Sequence, residues 1–210
     1  MQTKFSAIVH SEYGAPEQVL RIAKRHLTSH EIGVDDVLVK VIARPIHPGD
    51  IHILSALPQG GPVGPIPEGT LRIPGLEGVG TILSLGTNAK AAKRLSEGQR
   101  VAFFPAAGAW SEYVVVRYNS LLAVPNETSD QIAAQMLINT ITASVLIKAG
   151  HNSLQARISL AVYILQNAAA SGVGRLLTHV ALDRGVFEEV DRIVTVKPHS
   201  WSDLPSLTQC

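Results

Sequence analysis

Residues 166–177 read QNAAASGVGRLL: an apolar run ends, a series of small residues follows, and a segment with leucines opens. Upstream, ISLAVYILQ (158–166) is the unbroken apolar stretch that a strand covered on both faces requires. Downstream, VGRLLTHVALDRG (173–185) has helical spacing and a terminal Gly185, and VDRIVTV (190–196) has the composition of a second strand. Strand, tight turn, helix, strand is a βαβ unit, so this part of the chain is expected to be α/β with a parallel pair. A helix N-terminus presents unpaired N–H groups and the positive end of the macrodipole, which together suit an anion. Small side chains let the backbone approach it. Ala168, Ala169 and Ala170 have minimal side chains, Gly172 can take dihedrals other residues avoid, and Gly174 permits close packing of helix on strand. Small residues also occur at strand–helix turns that bind nothing, so the rest of the chain has to decide between the two readings.

Composition narrows the ligand classes. The chain has 210 residues, 46% of them hydrophobic, enough to bury a sizeable core. Eighteen basic against 17 acidic side chains give a net charge of +1, and no Lys/Arg cluster forms a patch for nucleic acid or a membrane surface. A small molecule is therefore the expected partner, with no nucleic acid and no membrane. The only cysteine is Cys210, which excludes an internal disulfide framework and a zinc site built from several thiolates. MQTKFSAIVHS at the start lacks the charged and apolar regions of a secretory signal, and no apolar run is long enough for a bilayer. A cytoplasmic protein is expected.

Ahead of the βαβ unit the chain is strand-like and heavily punctuated. FSAIVHS, DDVLVKVIARPI, VGTILSLG, QRVAFFP and WSEYVVV are β-branched or alternating runs between Gly-, Pro- and Asn-containing turns. They predict a compact β-barrel or sandwich. Residues 55–75, SALPQGGPVGPIPEGTLRIPG, hold too many prolines and glycines for a regular element. After LLAVPNETS the spacing predicts a buried helix over 130–150, with Ser129 or Asp130 as N-cap and Gly150 as its stop. The boundary is placed near Val124 to Glu127, giving domains 1–125 and 126–210.

Seven stretches, in order, resemble the zinc-independent branch of the medium-chain dehydrogenase/reductase superfamily, the quinone oxidoreductases and 2-enoyl thioester reductases. They are YGAPEQVL, RPIHPGDIHIL, IPGLEGVGTILSLG, EGQRVAFF, GAWSEYVVV, QMLINTITASVLI and NAAASGVG. The resemblance implies an α/β chain with a β-rich N-terminal part: a GroES-like β-barrel domain followed by a partial Rossmann domain, a doubly wound parallel sheet. It also implies NADPH as cofactor. Relatives with a catalytic metal carry a cysteine where this chain has His47 and a histidine where it has Leu76, and leucine cannot ligate zinc, so no metal site is expected. In zinc-free relatives the position of His47 is commonly asparagine, near nicotinamide and substrate. His47 is accordingly the candidate catalytic residue, as a hydrogen-bond donor to a developing enolate or as a proton source, against the plainer reading of a loop histidine.

The cofactor-binding candidates are Thr142, Asn167, Ala169, Ser171, Gly172, Val173, Gly174 and Lys197. Thr142 matches a threonine that approaches the nicotinamide; its alternative is a hydroxyl bonded back into its own helix. Asn167 opens the loop, or caps the helix that follows. Lys197, in KPHS after the second strand, stands where a carboxylate would hold a ribose hydroxyl, and a cation there suits the 2'-phosphate of NADP; a solvated lysine is the alternative. Trp110 and Tyr113 match a W-x-E-Y segment whose expected work is packing. The tyrosine that some enoyl reductases use as proton donor has no counterpart in DIHILSAL.

The expected activity is reduction of an electron-poor C=C or a quinone with NADPH and without zinc. Family members continue well past 210 residues. Three readings stand side by side: an active reductase or a fragment of one, a shortened non-catalytic relative acting as a binding or structural module, and an unstable product of truncation. A parallel pair of strands alone leaves apolar faces and an edge exposed, so a homo-oligomer covering the incomplete sheet is expected.

Overall fold

β-branched residues at alternating positions build the first half of the chain. A computed structural model describes residues 2–28, 32–56, 65–92, 94–155, 163–166, 168, 170–183 and 192–195. β1 (Gln2–Val9) pairs antiparallel with β2 (Arg21–Thr28), Gln2 opposite Thr28 and Val9 opposite Arg21. One face of β1 carries the buried Phe5, Ala7 and Val9. The short α1 (Pro16–Val19) joins the two strands, with proline in its first turn where no N–H is needed. β2 was not anticipated from the sequence. RIAKRHLT carries four basic side chains, and a strand paired only with β1 does not need the apolar face that identifies a central strand.

The five-stranded antiparallel sheet has the order β6-β3-β4-β5-β7. Its strands are β3 (Asp36–Ala43), β4 (Gly78–Leu85), β5 (Arg100–Phe103), β6 (Tyr113–Arg117) and β7 (Leu121–Ala123). Two register shifts between β3 and β4, at Leu38/Val39 and Val41/Ala43, bend the pair. Val37, Val39, Ile82, Val101 and Phe103 fill the core beside Leu54, the last residue of α2 (Pro48–Leu54). A short α3 (Thr87–Ala91) follows β4. Backbone bonds from Ile8 to Trp110 (2.9 Å) and from Glu112 to Ser6 (3.1 Å) lay the β1–β2 ribbon against the chain entering β6. Trp110 is buried and Tyr113 meets Phe5 edge-on at 5.8 Å. Gly75 holds a positive φ of 97°, and a β-carbon there would run into Trp110, so this position of GLEG accepts only glycine without rearrangement.

The helix expected over 130–150 is two helices, α4 (Asp130–Ala133) and α5 (Met136–Gln155). Ser129 caps α4 by accepting the Ile132 N–H, and Ala133 and Ala134 pack on Val79, Ala102 and Val124. α5 runs through Gly150 to Gln155, because a mid-helix glycine costs only about 1 kcal/mol and does not by itself end a helix.

The chain forms two compact units, Met1–Leu137 and Ile138–Cys210. In the second, β8 (Tyr163–Gln166) and β9 (Arg192–Thr195) pair in parallel, Tyr163 opposite Arg192, with α6 (Gly172–Asp183) between them in sequence. This is the βαβ unit read from residues 158–196. Among the described residues no helix is long and apolar enough to cross a membrane.

Phe103 is fully buried and Leu122, on the neighbouring β7, is 48% exposed. Phe103→Ala is expected to lower unfolding free energy by about 3–5 kcal/mol and Leu122→Ala by less than about 0.5 kcal/mol, measured by urea titration of the full chain.

Candidate functional site

The turn PIHPGD sets the first part of the site. His47 is the N-cap of α2 with extended backbone, and Pro48 occupies the first helical position. Asp50, three residues on, accepts the His47 N–H at 2.8 Å, and the His47 side chain lies over the Asp50 N–H, the arrangement of a capping box. This fixes the imidazole. Its side chain is 12% exposed, and Nε2 stands 2.6 Å from Glu77 Oε2, a carboxylate wholly out of water. Glu77 Oε1 accepts the Leu137 N–H, also at 2.6 Å, in the first turn of α5. One buried carboxylate therefore joins the N-cap of α2, the residue before β4 and the start of α5.

Asp50 shares the turn but not the environment. Burial pushes its carboxyl above the ordinary carboxylate range; the His47 amide, the His47 charge and the Leu76 amide oppose that shift less strongly. Oδ1 has no hydrogen-bond partner. Asp50 also lines a cavity of about 150 Å³ with His10, Ile53, Arg72, Leu76 and Ala106. His10 Nδ1 is 3.0 Å from the Glu12 carbonyl, and Arg72 donates to the Tyr13 hydroxyl at 2.7 Å.

In the second unit the small-residue loop ends β8 and starts α6. Ala168 is left-handed, with φ of 50°, and its carbonyl accepts the Ser171 N–H at 2.9 Å. Ser171 Oγ then accepts the Gly174 N–H at 3.0 Å, which makes Ser171 the N-cap of α6. Ser171 and Gly172 are exposed, Val173 is half-buried and Gly174 is buried. The first turn of α6 thus meets solvent through backbone with almost no side chain over it, which fits a pyrophosphate group. A β-carbon on Gly172 would lie 3.0 Å from Asn139 Nδ2, so Asn139 of α5 reaches this turn. Thr142 is half-buried in α5, three residues beyond Asn139 and hence on the same helix face. Asn167, Ala169 and Lys197 lie outside the described residues.

Glu77 is the residue that sequence reasoning passed over. Its signal was a charged side chain inside GLEGVG, where the following strand is apolar on both sides. Among the described residues no three His, Cys, Asp or Glu side chains come together as a metal site would need.

Residues 33–126 match the alcohol dehydrogenase GroES-like domain. The mitochondrial enoyl-[acyl-carrier-protein] reductase of Arabidopsis thaliana is 30% identical over 187 residues, which are 89% of this chain and 46% of that protein. A quinone oxidoreductase of Pseudomonas syringae superposes with a TM-score of 0.67 at 25% identity, over 92% of this chain and 52% of that one. A mycobacterial protein solved with NADPH gives 0.68 at 25% identity, over 91% and 52%. The chain spans about half the length of the curated relatives it matches.

Because the carboxyl of Asp50 is raised by burial, the folded state favours its proton. Its contribution to stability is full below the ordinary carboxylate range and falls as pH rises through the raised value. Asp50→Asn removes that titration, so the stability of the wild type relative to this variant is expected to decline between pH below about 4 and neutrality, read from urea midpoints. Ser171→Ala is expected to cost α6 about 1 kcal/mol, seen as several-fold faster hydrogen exchange of the Gly174 amide.

Proposed function

The chain belongs to the medium-chain dehydrogenase/reductase superfamily, and from that premise we propose that it is the GroES-like and nucleotide-binding portion of an NADPH-dependent reductase of activated double bonds. The observation that carries the reading is the backbone-lined start of α6, exposed at Ser171 and Gly172 and following a parallel strand. Its substrates in this reading are small molecules: quinones, enones or 2-enoyl thioesters.

Bound NADPH would supply a hydride and become NADP+, and reduction of the substrate would need one proton besides. Ser171, Gly172, Val173 and Gly174 offer the first turn of α6 to the pyrophosphate, with Ala169 keeping the preceding turn free of bulk and Asn167 opening it. In this reading Thr142 would hold the nicotinamide end, and Lys197 is the cation assigned to the 2'-phosphate. As hydride reaches the electrophilic carbon, negative charge collects on the conjugated oxygen and requires a donor. His47 is assigned that task, as hydrogen-bond donor or proton source; with Nε2 turned to Glu77, the proton offered to the substrate is the one Nδ1 carries in the imidazolium form. The donor set supports chemistry without zinc: Leu76 stands where a ligand would be needed, and the His47 ring is turned to a carboxylate. The cytoplasm is the proposed compartment, although the relative named above is mitochondrial, and a homo-oligomer covering the β8–β9 pair is the proposed assembly.

Titration of the full chain with NADPH is expected to enhance cofactor fluorescence and raise the melting temperature, followed by turnover of a 2-enoyl thioester or a quinone. His47→Ala is expected to lower turnover by about 10²-fold with cofactor affinity retained. Unchanged fluorescence and no thermal shift at millimolar NADPH would sink the reading for this chain.

A further inference from the structure

We infer that Glu77 is a positioning residue, one whose single carboxylate fixes which nitrogen of His47 carries the proton and at the same time holds the first turn of α5. Its consequence for catalysis rests on the reductase reading above; the geometry does not.

Three observations lead here. The Glu77 side chain is fully buried, and a carboxylate in that position is costly unless donors surround it. Its two oxygens face two different donors at the same short distance, His47 Nε2 and the Leu137 N–H, both at 2.6 Å. Nε2 faces a carboxylate oxygen, which accepts, and is therefore the protonated ring atom. The partners come from separate elements: His47 starts α2 and Leu137 lies in the first turn of α5. A glutamine cannot replace this group. It offers one oxygen and one NH2, and the NH2 would face one of the two N–H donors. Exchange of Glu77 therefore releases either the imidazole or the helix start, and an inert buried acid would release neither.

The test uses the full chain labelled with 15N-histidine. In the wild type the two ring nitrogens of His47 are expected to report a single species protonated at Nε2. In Glu77→Gln, His47 is expected to become a mixture of tautomers or the Leu137 amide to lose at least about tenfold of its exchange protection, the range for a buried group left without its partner. Turnover is expected to fall at least about tenfold while NADPH affinity stays within about twofold, as befits a group that orients a proton donor. A wild type protonated at Nδ1, or a Glu77→Gln chain with both His47 and Leu137 unchanged, would overturn the inference. Should Glu77→Gln not fold, the wild-type tautomer still decides. A wild type that turns over nothing defeats the reductase reading alone, because the nitrogen signals and the Leu137 exchange rate do not depend on turnover.

Discussion

Glu77 sits immediately before β4 with its side chain out of water, and an ionised group in that place is stable only while hydrogen-bond donors enclose it. Two neighbouring features answer to that requirement, and a third, next in sequence, answers to packing. His47 must turn its ring inward, and the capping box with Asp50 holds it there. α5 must begin where its Leu137 N–H meets Oε1, which accounts for a helix start at Met136 separate from α4. Gly78 must have no side chain, since a β-carbon there would press on the Phe103 ring at 2.6 Å and on the Ala43 carbonyl at 2.9 Å.

Two acids that both contact His47 are treated in opposite ways. Glu77 has donors for both oxygens, whereas Asp50 bonds through Oδ2 only and leaves Oδ1 unpaired in a buried position. Desolvation therefore dominates at Asp50 and raises it. Environment, rather than residue type, separates the hydrogen bonding of the two carboxyl groups.

Much of this architecture was legible because burial leaves a period in the sequence. β3, β4, β5 and β6 show β-branched residues at the spacing of a pleated, half-buried surface, and the strand–loop–helix–strand order of residues 163–195 follows from apolar runs on either side of small residues. β2 was hidden because it pairs only with β1 and carries basic residues outward. The sheet order β6-β3-β4-β5-β7 depends on pairings between distant segments, which no local pattern encodes. At the candidate site, the Ser171–Gly174 turn stood out by residue type and spacing, and His47 through the family resemblance. Glu77 could not, since its importance lies in meeting His47 30 residues away and Leu137 60 residues away.

The left-handed Ala168 bears on the loop in a different way. Glycine would adopt that φ without strain, and in the genetic code a glycine codon is one base change from any alanine codon. Alanine costs about 1 kcal/mol of backbone strain there, but it also removes many of the unfolded conformations that glycine would sample. At a positive φ the strain outweighs that gain, so Ala168 keeps this conformation against alanine's own preference. Ala168 is therefore a point of stored strain beside the start of α6, retained by the hydrogen bond of its carbonyl with the Ser171 N–H.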